Sequence, residues 1–177
     1  IGSMNLANAG NSYTGSTTAN QGILRIAAFG GTIPNGSALI VNSTLDLNGY
    51  SETVGSLAGI GTVTSNAGAT MTLTAGGDNT STTFSGVIQN GSSTGVSLSK
   101  TGSGALNLSG NNSYSGATSL LGGTLNMNSA SAIGTSALTI FSGTTIGNTS
   151  ASAITLSTNN TVNLNGDFSF GGTQDLN

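Results

Sequence analysis

The stretch GNNSYSGATSLLGGTLNM (Gly110 to Met127) has a near-copy, GNSYTGSTTANQGILRI (Gly10 to Ile26), about one hundred residues earlier. At a constant offset of 101, Tyr13 matches Tyr114, Gly15 matches Gly116, Thr17 matches Thr118, Gly22 matches Gly123 and Leu24 matches Leu125. A chain that repeats a phrase so poor in reactive groups constrains its fold more than any single residue could. A sandwich strand has a unique place in its sheet and need not resemble another. In a solenoid each coil lies on the last, so the same inward residues recur.

The rest of the chain fits that reading. Apolar residues recur two apart throughout, mostly with a polar residue between: Met4-Asn5-Leu6, Leu24-Arg25-Ile26, Leu39-Ile40-Val41, Leu45-Asp46-Leu47, Met71-Thr72-Leu73 and Val96-Ser97-Leu98. Leu106-Asn107-Leu108, Leu125-Asn126-Met127, Leu138-Thr139-Ile140, Ile154-Thr155-Leu156, Val162-Asn163-Leu164 and Phe168-Ser169-Phe170 continue the series. A period of two buries one side of a strand and leaves the other wet. The runs are short and bounded by Gly, Asn and Ser, with Asn-Gly turn signals at Asn35, Asn48, Asn90 and Asn165. No segment carries a capped helical period. The expected fold is all-β, a parallel β-solenoid of about six to eight coils at roughly 20–30 residues each, with a β-sandwich as the alternative. Residues 1–177 form one segment, with repeat units at roughly 4–99 and 100–177.

Composition removes several function classes. Gly, Ser, Thr and Asn make well over half of the chain, yet its mean hydropathy is positive and only 4% of residues are charged. Disorder needs low hydrophobicity with high charge, so a flexible linker does not fit. Lys100 and Arg25 are the only cations, too few for a phosphate-binding patch or for anionic membrane attraction. No apolar run approaches the ~20 residues that span a bilayer. His and Cys are absent, which removes Ser-His and Cys-His nucleophile systems, disulfides and the usual zinc ligand sets. The acids are Asp46, Glu52, Asp78, Asp167 and Asp175. Asp46 and Glu52 are near enough in sequence to weigh as a carboxylate pair. Asp46 is expected outward on a strand and Glu52 in a turn, both solvated. Gly76-Gly77-Asp78-Asn79 is expected as a turn, not a calcium loop. No catalytic, cofactor-binding or metal site is expected. Substituting Arg25, Lys100 or an acid by Ala is expected to cost within about 0.5 kcal/mol, as at exposed sites.

Two sets of residues stand out. Asn11, Tyr13 and Gly15, with Asn112, Tyr114 and Gly116, recur at the same point of each copy and are expected as structural corners. Thr62 and Thr64, with Thr72 and Thr74, place pairs of hydroxyls on one side of a strand. A regular, flat Thr array is what matching an ice lattice requires. Other outward pairs, such as Asn107 with Ser109 and Asn126 with Asn128, are mixed.

The phrase KTGSGALNLSGNNSYSGATSLLGGTLNM (Lys100 to Met127) resembles the autotransporter-associated β-strand repeat, also called the passenger-associated transport repeat. The pattern lies at Lys100, Thr101, Gly102, Gly104, Leu106, Leu108 and Gly110, then at Asn112, Tyr114 and Gly116, then at Gly122, Gly123 and Leu125. The first copy lacks the Lys-Thr-Gly opening. LDLNGYSETVGSLAGIGTVT (Leu45 to Thr64) and NTSTTFSGVIQNG (Asn79 to Gly91) resemble the text between such repeats. The resemblance implies a right-handed parallel β-helix displayed outside a bacterial cell. The function expected is a non-enzymatic extracellular rod, spacer or adhesive fibre on the cell surface or secreted. An ice-binding or glycan-binding solenoid using outward Thr, Ser and Asn rows is the alternative. Expected partners are surface glycans and further coils stacked end to end, either in a longer chain or between separate chains. Nucleic acid and membrane insertion are not expected.

Overall fold

The computed structural model describes residues 1–177 and is a parallel β-solenoid of about eight turns, without a helix. The strands fall on three faces, all three being used by the middle coils and two by the coils at either end. The first face carries β1 (Ser3–Leu6), β3 (Ile23–Ile26), β5 (Thr44–Asp46), β8 (Thr62–Ser65) and β11 (Val87–Gly91). The second carries β6 (Glu52–Val54), β9 (Thr70–Ala75), β12 (Gly95–Lys100), β14 (Thr118–Leu120), β16 (Leu138–Phe141) and β18 (Val162–Asn165). The third begins with β2 (Thr17–Ala19), β4 (Ala38–Val41) and β7 (Ser56–Ala58). It continues with β10 (Thr82–Phe84), β13 (Ala105–Leu108), β15 (Thr124–Met127), β17 (Thr144–Gly147) and β19 (Phe168–Phe170), and a Gly59–Phe84 bridge joins its two halves. Strand pairs within each face are parallel. The antiparallel hairpins of a sandwich are therefore absent.

The register explains the recurrence of apolar residues. Met4, Leu24, Leu45, Val63 and Ile88 stand one above another on the first face. Leu106, Leu125, Ile146 and Phe170 do so on the third. Away from the two ends these rows merge into one continuous buried core. Each fully buried Leu or Ile contributes roughly 1.5–3 kcal/mol.

The expected runs became strands with one exception. Ile154 to Leu156 forms only an isolated bridge, between Ile154 and Leu176. Several short strands lack two large apolar residues and were invisible to a period-two search: Thr17–Ala19, Glu52–Val54, Thr82–Phe84 and Thr118–Leu120. Their inward places hold Thr, Glu or a single large residue.

The two copies of the repeated phrase do not sit on the same faces. In the first, the outer strands β1 and β3 pair on the first face, and β2 lies on the third. In the second, β13 and β15 pair on the third face, and β14 lies on the second. The copies are thus turned by one face about the axis, because the residues between them do not make a whole number of turns.

Candidate functional site

The corner residues act from the inside. Tyr114 is 0% exposed, and its hydroxyl lies 2.7 Å from Thr118 Oγ1. A buried tyrosine needs a partner for its hydroxyl, and the Thr four residues on supplies one. Burial pushes the Tyr114 phenol above its ordinary range, against the Thr118 hydrogen bond. The first copy repeats the pair, Tyr13 with Thr17 at 2.5 Å, but Tyr13 is 41% exposed beside the open first coil. Asn112 ties three coils. Its Oδ1 accepts from the Ile88 amide at 2.8 Å, and its Nδ2 donates to the Ala132 carbonyl at 2.6 Å. Asn11 donates likewise to the Thr32 carbonyl at 2.8 Å. Gly116 permits close approach: a Cβ there would lie 2.4 Å from the Val96 carbonyl oxygen. Gly15 accepts a hydrogen bond from Ser37 Oγ at 2.5 Å.

The charged residues depart from expectation. Asp46 does point outward from β5, but it is 0% exposed rather than solvated. Arg25 Nε reaches Asp46 Oδ2 at 3.0 Å, and the backbone amides of Asn48 and Asn66 donate to Oδ1. Glu52 is not in a turn. It stands in an inward row above Leu73, and the Thr32 and Ile33 amides and the Thr32 hydroxyl donate to its carboxylate. Burial raises its pKa, and these three hydrogen bonds only partly oppose the rise. Lys100 also stands in an inward row, between Ala75 and Leu120, and is 1% exposed. Its ammonium donates to the carbonyls of Thr101, Gly102 and Gly122. Burial lowers its pKa, with partial relief from the charge of Asp78. Exposed-site costs do not apply to these residues. Asp46 and Glu52 do not converge on a cleft: one carboxylate lies on the outer side of the first face, the other inside the second. Asp78 caps the Gly76–Asn79 turn, its Oδ1 accepting from the amide and hydroxyl of Thr80. Burial alone would raise its pKa, but hydrogen bonds from Ser56 and Thr80 outweigh that and lower it.

The four threonines are divided between faces. Thr62 and Thr64 belong to β8 on the first face, and Thr64 is buried with its Oγ1 unpaired. Thr72 and Thr74 belong to β9 on the second. Thr74 lies in an outward row running through every strand of that face: Thr53, Thr74, Ser99, Ser119, Thr139 and Asn163. Sequence reading missed this row because its members come from six different coils. Only the register brings them together.

The passenger-associated-transport-repeat family model matches residues 2–26 and 98–127. The match covers the two corner-bearing coils and leaves out the text between and after them. No curated protein and no solved structure matches the chain. Each matched segment contains one coil: a strand, the Asn-Tyr-Gly corner, a second strand, a glycine turn and a third strand lying on the first, preceded in the second segment by the end of β12. Residues 2–26 and 98–127 are thus each similar to the passenger-associated-transport-repeat.

Proposed function

We propose that the chain is a non-enzymatic rod segment of a bacterial autotransporter passenger, secreted or displayed at the cell surface, serving as a spacer or adhesive fibre. The observation that carries this reading is the union of the two transport repeats with an unbroken parallel solenoid. The inner side of the chain is committed to stacking. Four of the chain's ionisable groups serve as ties: inside, Lys100 binds carbonyls and Glu52 binds amides, and on the outer side of the first face Asp46 binds Arg25. Outward amides and hydroxyls bond from coil to coil, as in the Asn107–Asn126 contact at 2.6 Å and the Ser85–Ser109 contact at 2.9 Å. Such a rod offers length and resistance to unfolding, with little chemistry.

The rod continues coil on coil, within a longer chain or between chains. Met4 at one end, and Leu164 and Phe170 at the other, stand in the core rows yet are exposed. They are the next places a coil would cover. Light scattering and electron microscopy across a concentration series test this, with end-to-end oligomers or fibres of the rod's own width expected. A strictly monomeric segment with no change on extension by neighbouring coils would contradict continuation. Glycan cleavage abolished by a single acid substitution would contradict the non-enzymatic reading.

A further inference from the structure

We propose that the first coil of one molecule seats on the last coil of a second molecule, in one fixed register and turned by one face about the rod axis. The inference rests on the rod reading above and names the partner of its open ends. The structure shows the contact once, inside the chain. There the later phrase, Leu106 to Thr118, lies on β10, β11 and β12 of the coil below. The seat is specific. Leu106 and Leu108 stand on Thr82 and Phe84. Asn112 Oδ1 accepts from the Ile88 amide at 2.8 Å, and the Ser113 amide donates to the Ile88 carbonyl at 3.0 Å. The Gly116 amide donates to the Val96 carbonyl at 3.0 Å. The earlier phrase, Met4 to Thr17, has no coil beneath it, and β1 and β2 are edge strands.

The last coil reproduces that seat. At a constant offset of 80, Phe84 matches Leu164, Gly86 matches Gly166, Ile88 matches Phe168 and Val96 matches Leu176. The structure follows the spacing: β18 takes the place of β10, β19 takes that of β11, and Leu176 bridges to Ile154. Phe84 and Ile88 are 0% exposed beneath the later phrase, whereas Leu164 is 58% and Phe168 39% exposed. On the facing side Leu106 and Tyr114 are 2% and 0% exposed, whereas Met4 and Tyr13 are 63% and 41% exposed. The backbone matches too. Asp167 and Gly171 bond back to the preceding coil, so Phe168 and Phe170 turn their amides and carbonyls to the open side. Asp175 and Asn177 also bond back, which turns Leu176 the same way as Val96. Asn11 donates to Thr32 above it as Asn112 does to Ala132, but its Oδ1 holds only the side chain of Asn8 where Asn112 holds a strand amide. The Phe168 amide of a second molecule supplies that donor. The earlier phrase has one more residue between Leu6 and Asn11 than the later has between Leu108 and Asn112, and Gly10, at φ 87°, lies in that stretch. In this register Met4 stands on Val162, Asn5 on Asn163 and Leu6 on Leu164. β1 lies on the first face and β18 on the second, which sets the turn of one face. Every molecule carries one half of the seat at each end, so the contact is heterologous and repeats.

The test is oligomeric state by light scattering at rising concentration, for the wild type, Met4→Lys at the head and Leu164→Lys at the tail. Both sites are exposed, and unfolding curves check that each variant folds. The wild type is expected to form end-to-end oligomers and each variant alone to stay monomeric. A mixture of the two variants retains one free tail and one free head, so it is expected to give dimers that grow no further. Dimers of either variant alone would show a tail-to-tail or head-to-head contact and overturn the proposal. Register is tested by disulfide formation, since the chain has no cysteine of its own. Asn5→Cys with Asn163→Cys is compared with Asn5→Cys with Ser169→Cys. Neighbouring strands lie ~4.8 Å apart, within the Cα range of a disulfide. The paired sites lie at opposite ends of the rod, so a link joins two molecules. Oxidation is expected to turn the first variant into a ladder of covalent oligomers and to leave the second unlinked. Equal ladders, or a ladder from the second alone, overturn the proposal. So does a wild type that stays monomeric at every concentration; if added neighbouring coils stabilise that monomer, the rod reading still stands. Glycan cleavage by the chain would refute the rod reading and leave the stacking result untouched.

Discussion

The Lys100 ammonium lies 3.1 Å from the carbonyl oxygen of Gly122, in the coil that follows its own. The same nitrogen donates to Thr101 and Gly102, so the opening Lys-Thr-Gly and the later Gly-Gly of the repeat are two halves of one contact. Lys100→Ala strips three carbonyls of a donor and leaves a hole in an inward row. A loss of about 2–4 kcal/mol is expected by denaturant unfolding. Lys100→Met refills the row and is expected to lose less than half of that. Because burial lowers the folded-state pKa of Lys100, the unfolded chain holds the proton more strongly. Wild-type stability then rises with pH from that lowered value up to the ordinary 10.5, and the Met variant lacks this slope. Parallel alkaline profiles for the two proteins would refute it.

Gly102 and Gly76 form a stacked pair of turns. Both have positive φ, and a Cβ on Gly102 would lie 1.9 Å from the Gly76 carbonyl oxygen. Gly102→Ala therefore combines backbone strain with a backbone clash. A cost above about 3 kcal/mol is expected, visible as a fall in the thermal midpoint. Gly143→Ala is the comparison: its φ is also positive but nothing lies within 4 Å of the added carbon. It is expected to cost about 1 kcal/mol. Equal costs at both sites would show that stacking of the turns is not what requires glycine.

Much of this was legible in the sequence, and what was not has a physical cause. Apolar alternation located the strands with two large inward residues, because burial is what alternation records. It missed Thr17–Ala19 and Thr118–Leu120, where the inward Thr serves a tyrosine hydroxyl rather than the apolar core. Lys100 continues the inward parity of Val96 and Leu98, and Glu52 shares the parity of Val54. Counting by twos would have placed both inside, against the habit of putting charge outside. The burial of Asp46 was not legible, since Arg25 and Asn66 reach it from neighbouring coils. The hydroxyl row of the second face depends on register across six coils, which no local window contains.

Asn112 and Asn11 hold the same place in their copies but different loads. Asn112→Ala orphans the buried Ile88 amide and Ala132 carbonyl together. About 2–4 kcal/mol is expected. Asn11→Ala, beside the open first coil, removes donations to the Asn8 and Thr32 carbonyls and an acceptor for Asn8 Nδ2, all near solvent, and is expected to cost about 1 kcal/mol. Asn112→Asp keeps the acceptor for Ile88 but sets a carboxylate against the Ala132 carbonyl, so it should be less stable than wild type and improve on acidification. Hydrogen exchange at Ile88 reports the loss directly. An unchanged exchange rate in Asn112→Ala would remove the staple from the account.

The tyrosines give a matched pair. Tyr114→Phe keeps the ring and removes one hydroxyl contact, leaving Thr118 with the Ile133 carbonyl at 3.4 Å. About 1 kcal/mol is expected, against about 3–5 kcal/mol for Tyr114→Ala, which empties a fully buried site. Tyr13→Ala is expected to cost less than half as much as Tyr114→Ala, because Tyr13 already meets solvent. If the Tyr13 substitution proved the more damaging in unfolding measurements, a role beyond the corner would be required.

Glu52 makes a pH signature that its neighbours do not share. Its carboxyl heads an apolar inward row, and burial raises its folded-state pKa above 4.5 despite the amides of Thr32 and Ile33. The fold therefore favours the protonated acid. Its stabilising contribution is complete below 4.5 and is lost as pH rises through the raised value. Asp78 runs the other way, since its lowered pKa withdraws stability only as pH falls below 3.8. The two windows do not overlap. Glu52→Gln is neutral at every pH and should show no slope where the wild type declines. The variant should therefore gain on the wild type as pH rises from about 4 to 7, with the smallest difference at the acid end. Urea midpoints measured across that range decide the matter. A variant whose curve runs parallel to the wild type's would show that the Glu52 carboxylate is ionised as readily inside the solenoid as in the unfolded chain.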